Sequence, residues 1–373
     1  MIKSMLKPTQ SAQKAKVRDP YLDIMKGLAI LLVVVGHAIQ SLPNYQDGLV
    51  FRTIYSFHIP LFMFLSGAVA SYSSAPMDKK FIWKKFLLLV VPFVAWAVVS
   101  SIVDSLPGLH PHVFFENLSR IAVYPDWGLW FLWVLFLNFC CLTASRKLFP
   151  KTGYMGYVLV WLVTMLIPTN KYGIGLVKWH FPFFAIGYLI FKNREKLAFL
   201  KMPTFFASLV SFPILIASWH WLYLPNFLTT LPPHLASHHL DAIEVGDLAT
   251  IHIYRIITLG YSYIVAFAGI GLACLLLPKL KSIRLNSFLN FLGLYTMEIY
   301  VLFWYFLDLG FGPYWLNIAM RTAVSISLAL FVAALVLYRS KWLSFIFLGG
   351  RSGRPIGERT YQKIRHRLMP GLY

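Results

Sequence analysis

Apolar runs of about twenty residues recur along almost the whole chain, and this recurrence restricts the fold more than any motif does. At ~1.5 Å rise per residue, some twenty helical residues cross the ~30 Å hydrocarbon layer of a bilayer. Ten such runs are placed at 22–41, 50–71, 86–104, 128–146, 153–168, 175–191, 203–222, 254–276, 287–308 and 314–338. Lipid offers no partner for backbone N–H and C=O groups, so spans of this kind are helical. The expected fold is all-α: a polytopic membrane bundle of about ten transmembrane helices. Only 13% of residues are charged, about half the ~25% usual for soluble domains.

The net charge of +20 could be read as a nucleic-acid footprint, but its distribution points elsewhere. Twenty-seven of the 34 Lys and Arg residues fall on one set of connections and the tails, six on the opposite set, and Lys26 lies inside the first span. By the positive-inside rule both termini are cytoplasmic. The basic excess then marks topology and contact with membrane lipid, with no nucleic-acid partner expected. Residues 1–20 and 341–373 are read as basic cytoplasmic tails flanking a membrane domain over 21–340. The first span is too long and too poorly flanked for a cleaved signal peptide and is expected to remain as a helix. Cys140, Cys141 and Cys274 fall within spans and imply no disulfide framework.

The longest outer connection, about 223–253, has some thirty residues, so any chemistry belongs inside the bundle. Lys26 and His37 stand eleven residues apart on the first span, ~16 Å along a helix. Ionisable groups inside a membrane helix are costly to keep and mark functional sites by default. Asp23 lies one turn before Lys26 and can pair with it at i,i+3. A tight connection joins the first two spans, so His58 is expected at a depth comparable to His37. The segments His58-Ile-Pro60 and His180-Phe-Pro182 echo one another. Glu298, in the ninth span, is the one carboxylate placed near the bilayer centre. Bland readings stand beside these: Lys26 can snorkel to the interface, and His58 and His180 can be packing residues bonded to backbone carbonyls. The loop histidines His234, His238, His239 and His252 lack a carboxylate pattern for a metal site, so no metal is expected.

The stretch Arg18-Asp-Pro-Tyr-Leu-Asp-Ile-Met-Lys26 through Val-Val-Val-Gly-His37 resembles the opening of the membrane acyltransferase-3 family, in the branch related to fucose O-acetylases. The family's hallmark is an Arg or Lys, ten residues, then His, matched here by Lys26 and His37. His58-Ile-Pro-Leu-Phe-Met-Phe-Leu-Ser-Gly67 is similar to the family's second-helix motif, with Met63 in place of one Phe. Thr296-Met-Glu-Ile-Tyr300 is similar to its Ser/Thr-x-x-Ile-Tyr element. Some members carry a His three residues after that Tyr, where this chain has Phe303. The resemblance covers residues 18 to 340.

The resemblance implies an O-acyltransferase in a bacterial cytoplasmic (inner) membrane. Such an enzyme takes acetyl from cytoplasmic acetyl-CoA and places it on a sugar hydroxyl of an envelope glycan, lipid-linked saccharide or secreted oligosaccharide. Hydroxyl attack on a thioester needs a general base, and imidazole suits that task. His37 is the candidate base, Glu298 an orienting or charge-stabilising partner, and His58 a third catalytic candidate. Lys26, Lys84 and Lys85 are candidates for the CoA phosphates. The rival readings are a transporter or lipid-carrier flippase using Lys26, His37 and Glu298 as a pathway, and a non-catalytic partner of a polysaccharide synthase.

Overall fold

The computed structural model describes residues 19–43, 45, 48–73, 77–106, 111–150, 154–218, 248–280 and 282–350, with the side chains of 218 and 248–258 left out. Every regular element among them is helical: α1 Pro20–Gln40, α2 Leu49–Ser71, α3 Lys79–Ser105, α4 Pro111–Val123, α5 Trp130–Leu148, α6 Met155–Leu166, α7 Ile174–Lys192, α8 Lys201–Ser218, α9 Leu248–Leu276, α10 Ile283–Leu294, α11 Thr296–Leu302, α12 Tyr314–Val332 and α13 Lys341–Leu348. Among the described residues, eight helices are long and apolar enough to cross a membrane. This is a polytopic helical bundle.

Local signals set the ends. Asp19 caps α1, its side chain accepting the Tyr21 N–H at 3.0 Å, with Pro20 in the first turn, where its missing N–H costs nothing. Asp78 caps α3 by accepting from Phe81 N–H. That helix starts seven residues before the expected span, so Lys79, Lys80, Lys84 and Lys85 occupy its first two turns. Two expected spans depart from a straight crossing. The fifth is only Met155–Leu166, twelve residues. The ninth breaks into α10 and α11 with a 66° bend. At the break Tyr295 leaves helical geometry, and the Thr296 hydroxyl donates to the Gly293 carbonyl at 2.8 Å, serving a C=O the bend leaves unpaired. Residues 341–348, read from sequence as the start of a tail, form α13 on α3, where Trp96 Nε1–H donates to the Phe347 carbonyl at 3.0 Å.

α1, α2 and α7 form the centre. Of the apolar stretch of α2, 72% is buried, against 22% for that of α8 at the rim. Apolar helices in lipid gain little from hiding from water, so close packing of small residues joins them. Two glycine crossings do this. A Cβ on Gly27 of α1 would stand 1.8 Å from the Leu289 carbonyl oxygen of α10, and one on Gly293 only 1.7 Å from the Asp23 carbonyl oxygen. A Cβ on Gly67 of α2 would stand 1.9 Å from the Phe184 carbonyl oxygen of α7, and one on Gly187 of α7 2.0 Å from that of Phe64.

Candidate active site

His37 lies in the last turn of α1, half-buried. Its Nδ1–H donates to Gln40 Oε1 at 2.9 Å, and the Tyr55 hydroxyl of α2 donates to the same oxygen at 2.6 Å. Because Gln40 Oε1 only accepts, Nδ1 carries the proton and Nε2 is the basic nitrogen. Aromatic rings wall the imidazole: Trp304 at 5.2 Å between centroids, Phe303 at 5.6 Å and Tyr55 at 6.3 Å. Phe303 thus takes the position where some family members carry a histidine, and it packs on His37.

His58 is buried on α2, its Nδ1–H donating to the Ile54 carbonyl one turn back at 2.8 Å. Its ring is 4.7 Å from that of Tyr55, which also packs on His37. Met63, the departure from the motif, accepts from Asn138 Nδ2 at 3.5 Å, a role that its thioether can fill and a phenyl ring cannot.

Glu298 is fully buried in the first turn of α11, just past the break. The Tyr338 hydroxyl donates to its Oε1. The partner that orients the His37 ring is therefore Gln40, and the Glu298 hydrogen bond runs to Tyr338. Glu298→Gln keeps the acceptor oxygen and the shape while removing the charge. We expect turnover to fall by about tenfold or more, ~1.4 kcal/mol of transition-state stabilisation, at normal abundance. Steady-state rates of Glu298→Gln, His37→Ala and the double variant check this, and full activity in Glu298→Gln would make the residue a structural partner only.

The lysines proposed from sequence have separate settings. Lys26 Nζ pairs with Asp23 at 2.7 Å, and Asp23 is 1% exposed. Lys85 Nζ lies 4.0 Å from the centroid of Phe139 and 5.3 Å from that of Phe81, a cation–π arrangement. Lys84 is exposed. His234, His238, His239 and the side chain of His252 lie outside the described residues. Among the described residues no group of three metal-ligating side chains converges.

Gln40, Tyr55 and Tyr338 were not among the residues singled out from sequence. Gln40 had a readable signal, since it lies at i+3 from His37 on the same helix face. Tyr338 had none, because forty residues separate it from Glu298.

The chain matches an acyltransferase domain family, Acyl_transf_3, over residues 19–339. It belongs to the acyltransferase-3 family. It is similar to nodulation protein NolL of Sinorhizobium fredii, 28% identical over 193 residues that make up 49% of this chain and 52% of that protein. It is likewise similar to nodulation protein NolL of Mesorhizobium japonicum, 27% identical over 192 residues, 46% of this chain and 48% of that one. The chain thus spans about half the length of the curated relatives it matches. No solved structure matches it. Together with the apolar helices, membership in this family makes the chain a multi-pass membrane protein.

Proposed function

We propose that the protein is a membrane O-acyltransferase that moves acetyl from cytoplasmic acetyl-CoA to a sugar hydroxyl of an envelope glycan, lipid-linked saccharide or secreted oligosaccharide, in a bacterial cytoplasmic membrane. The observation that carries this reading is the His37 imidazole, whose Nδ1–H is held by Gln40 and whose Nε2 is left basic beside an aromatic wall. In a direct transfer Nε2 takes the proton of the attacking hydroxyl, the new C–O bond forms, the thioester C–S bond breaks, and the proton passes to the departing sulfur. An acyl-His37 intermediate balances equally well, in two displacements. Gln40 supplies orientation without charge, and the Tyr55 hydroxyl bond to the same oxygen fixes the amide.

Lys26 is assigned to the CoA phosphates, as an ammonium near one end of the helix that carries the base at its other end. Lys26→Ala alone would leave the buried Asp23 carboxylate without this partner, which itself destabilises. The informative variant is Asp23→Asn with Lys26→Met. We expect its half-saturating acetyl-CoA concentration to rise about tenfold, the loss of one charge-assisted hydrogen bond, with Lys26→Arg intermediate because charge survives but geometry changes. An unchanged donor requirement would confine Lys26 to its Asp23 pair.

The transport reading draws on the 66° break next to Glu298, since broken helices line transporter sites. Purified protein in nanodiscs separates the two. CoA release that depends on added glycans, with a matching mass shift on the glycan, supports the enzyme; substrate movement without CoA release supports the transporter.

A further inference from the structure

The echo of His58-Ile-Pro60 and His180-Phe-Pro182 becomes a geometric relation in the fold. α2 and α7 cross at Gly67 and Gly187 with their backbones in contact. Beyond the crossing their C-terminal ends meet again, Arg194 donating to the Tyr72 hydroxyl at 2.6 Å, so the helices run in the same direction. His58 and His180 precede the crossing glycines by nine and seven residues, ~14 and ~10 Å along their helices. They therefore stand on the same side of the crossing at similar height.

Both rings are held in the same way. His180 Nδ1–H donates to the Leu176 carbonyl at 2.8 Å, as His58 Nδ1–H does to that of Ile54. A carbonyl can only accept, so in each neutral ring the proton sits on Nδ1 and Nε2 presents a lone pair. The two residues are 3% and 4% exposed, yet neither Nε2 is hydrogen-bonded among the described residues. A neutral Nε2 without a protein donor is an acceptor still available to a ligand O–H. Trp130, its centroid 5.1 Å from that of His180, and Tyr55, 4.7 Å from His58, add flat aromatic surface beside each ring.

We propose that His58 and His180 form a hydroxyl-binding pair for the polyhydroxylated acceptor. Their two Nε2 acceptors take O–H donors of the saccharide beside Trp130, holding another of its hydroxyls toward His37. His180 is then an acceptor-binding residue with no counterpart among the sequence motifs. The proposal rests on the acyl-transfer reading. A purely structural role for the histidines would end at the Ile54 and Leu176 carbonyls.

Asparagine and glutamine separate these roles. Asn can keep an N–H near the Nδ1 position and has nothing at Nε2, whereas Gln reaches an oxygen toward Nε2. The assay uses full-length protein in nanodiscs, acetyl-CoA labelled on the acetyl group, and glycans extracted from cells lacking the protein as the acceptor probe. In His180→Asn and His58→Asn the half-saturating glycan concentration is expected to rise about tenfold, the loss of one hydrogen bond, while that of acetyl-CoA stays within about twofold. The Gln variants should recover most of the glycan affinity. If the Asn variants match wild type, or the Gln variants are the more impaired in glycan use, the pair is structural and the proposal is wrong. His37→Ala, run alongside, tests the underlying reading. Full transfer by that variant, or no transfer to any host glycan by the wild type, removes acyl transfer itself. A dead His37→Ala with normal His180→Asn removes only the pair.

Discussion

Replacement of His37 by alanine is expected to lower acyl transfer by at least about a hundredfold, the low end of what a positioned general base contributes, while the protein still inserts and accumulates. The imidazole is half-buried at the end of α1, and Gln40 on the same helix is its hydrogen-bond partner. Its loss frees one amide oxygen that still accepts from Tyr55, so no buried group is stranded. The structural cost is small and the chemical cost large. The measurement is label transfer from acetyl-CoA to extracted glycan, normalised to monodisperse protein. A well-folded His37→Ala with wild-type transfer would refute the catalytic assignment. Gln40→Leu, which leaves the imidazole without its orienting partner, should fall between wild type and His37→Ala.

A severe loss of stability is expected at the glycine crossing of α2 and α7. Valine at Gly67 would place its Cβ 1.9 Å from a backbone oxygen of α7, and backbone cannot swing aside as a side chain can. Overpacking typically costs about 1–3 kcal/mol and sometimes more. Here the helices must separate, which also breaks the tight contact at Gly187. We expect Gly67→Val to reduce detergent-stable protein severely. Gly260→Ala in α9, where no atom lies within 4 Å of the added Cβ, should be neutral or slightly stabilising, because glycine is an unfavourable helix residue. Thermal melting of the solubilised proteins checks the pair. Equal melting temperatures would mean that the crossing tolerates separation and that van der Waals contact there does not hold the bundle.

The sequence by itself determined the class of fold. Lipid leaves backbone groups no partner outside the helix, so a twenty-residue apolar run has one outcome, and its ends follow from residues such as Asp19, Pro20 and Asp78. It also marked Lys26, His37, His58 and Glu298, since ionisable groups are rare and costly among apolar neighbours. Local pairs were legible for the same reason: Asp23 with Lys26 lies at i,i+3 on one helix face. The tertiary structure decided which of these groups meet. It placed Glu298 with Tyr338 and left Gln40 and Tyr55 with His37, and it broke the ninth span at Tyr295. It also turned a short echo around His58 and His180 into two imidazoles at one height. Those outcomes depend on where Gly67 meets Gly187 and Gly27 meets Gly293. Helix periodicity specifies a face of one helix, but not the angle or register at which another helix packs on it.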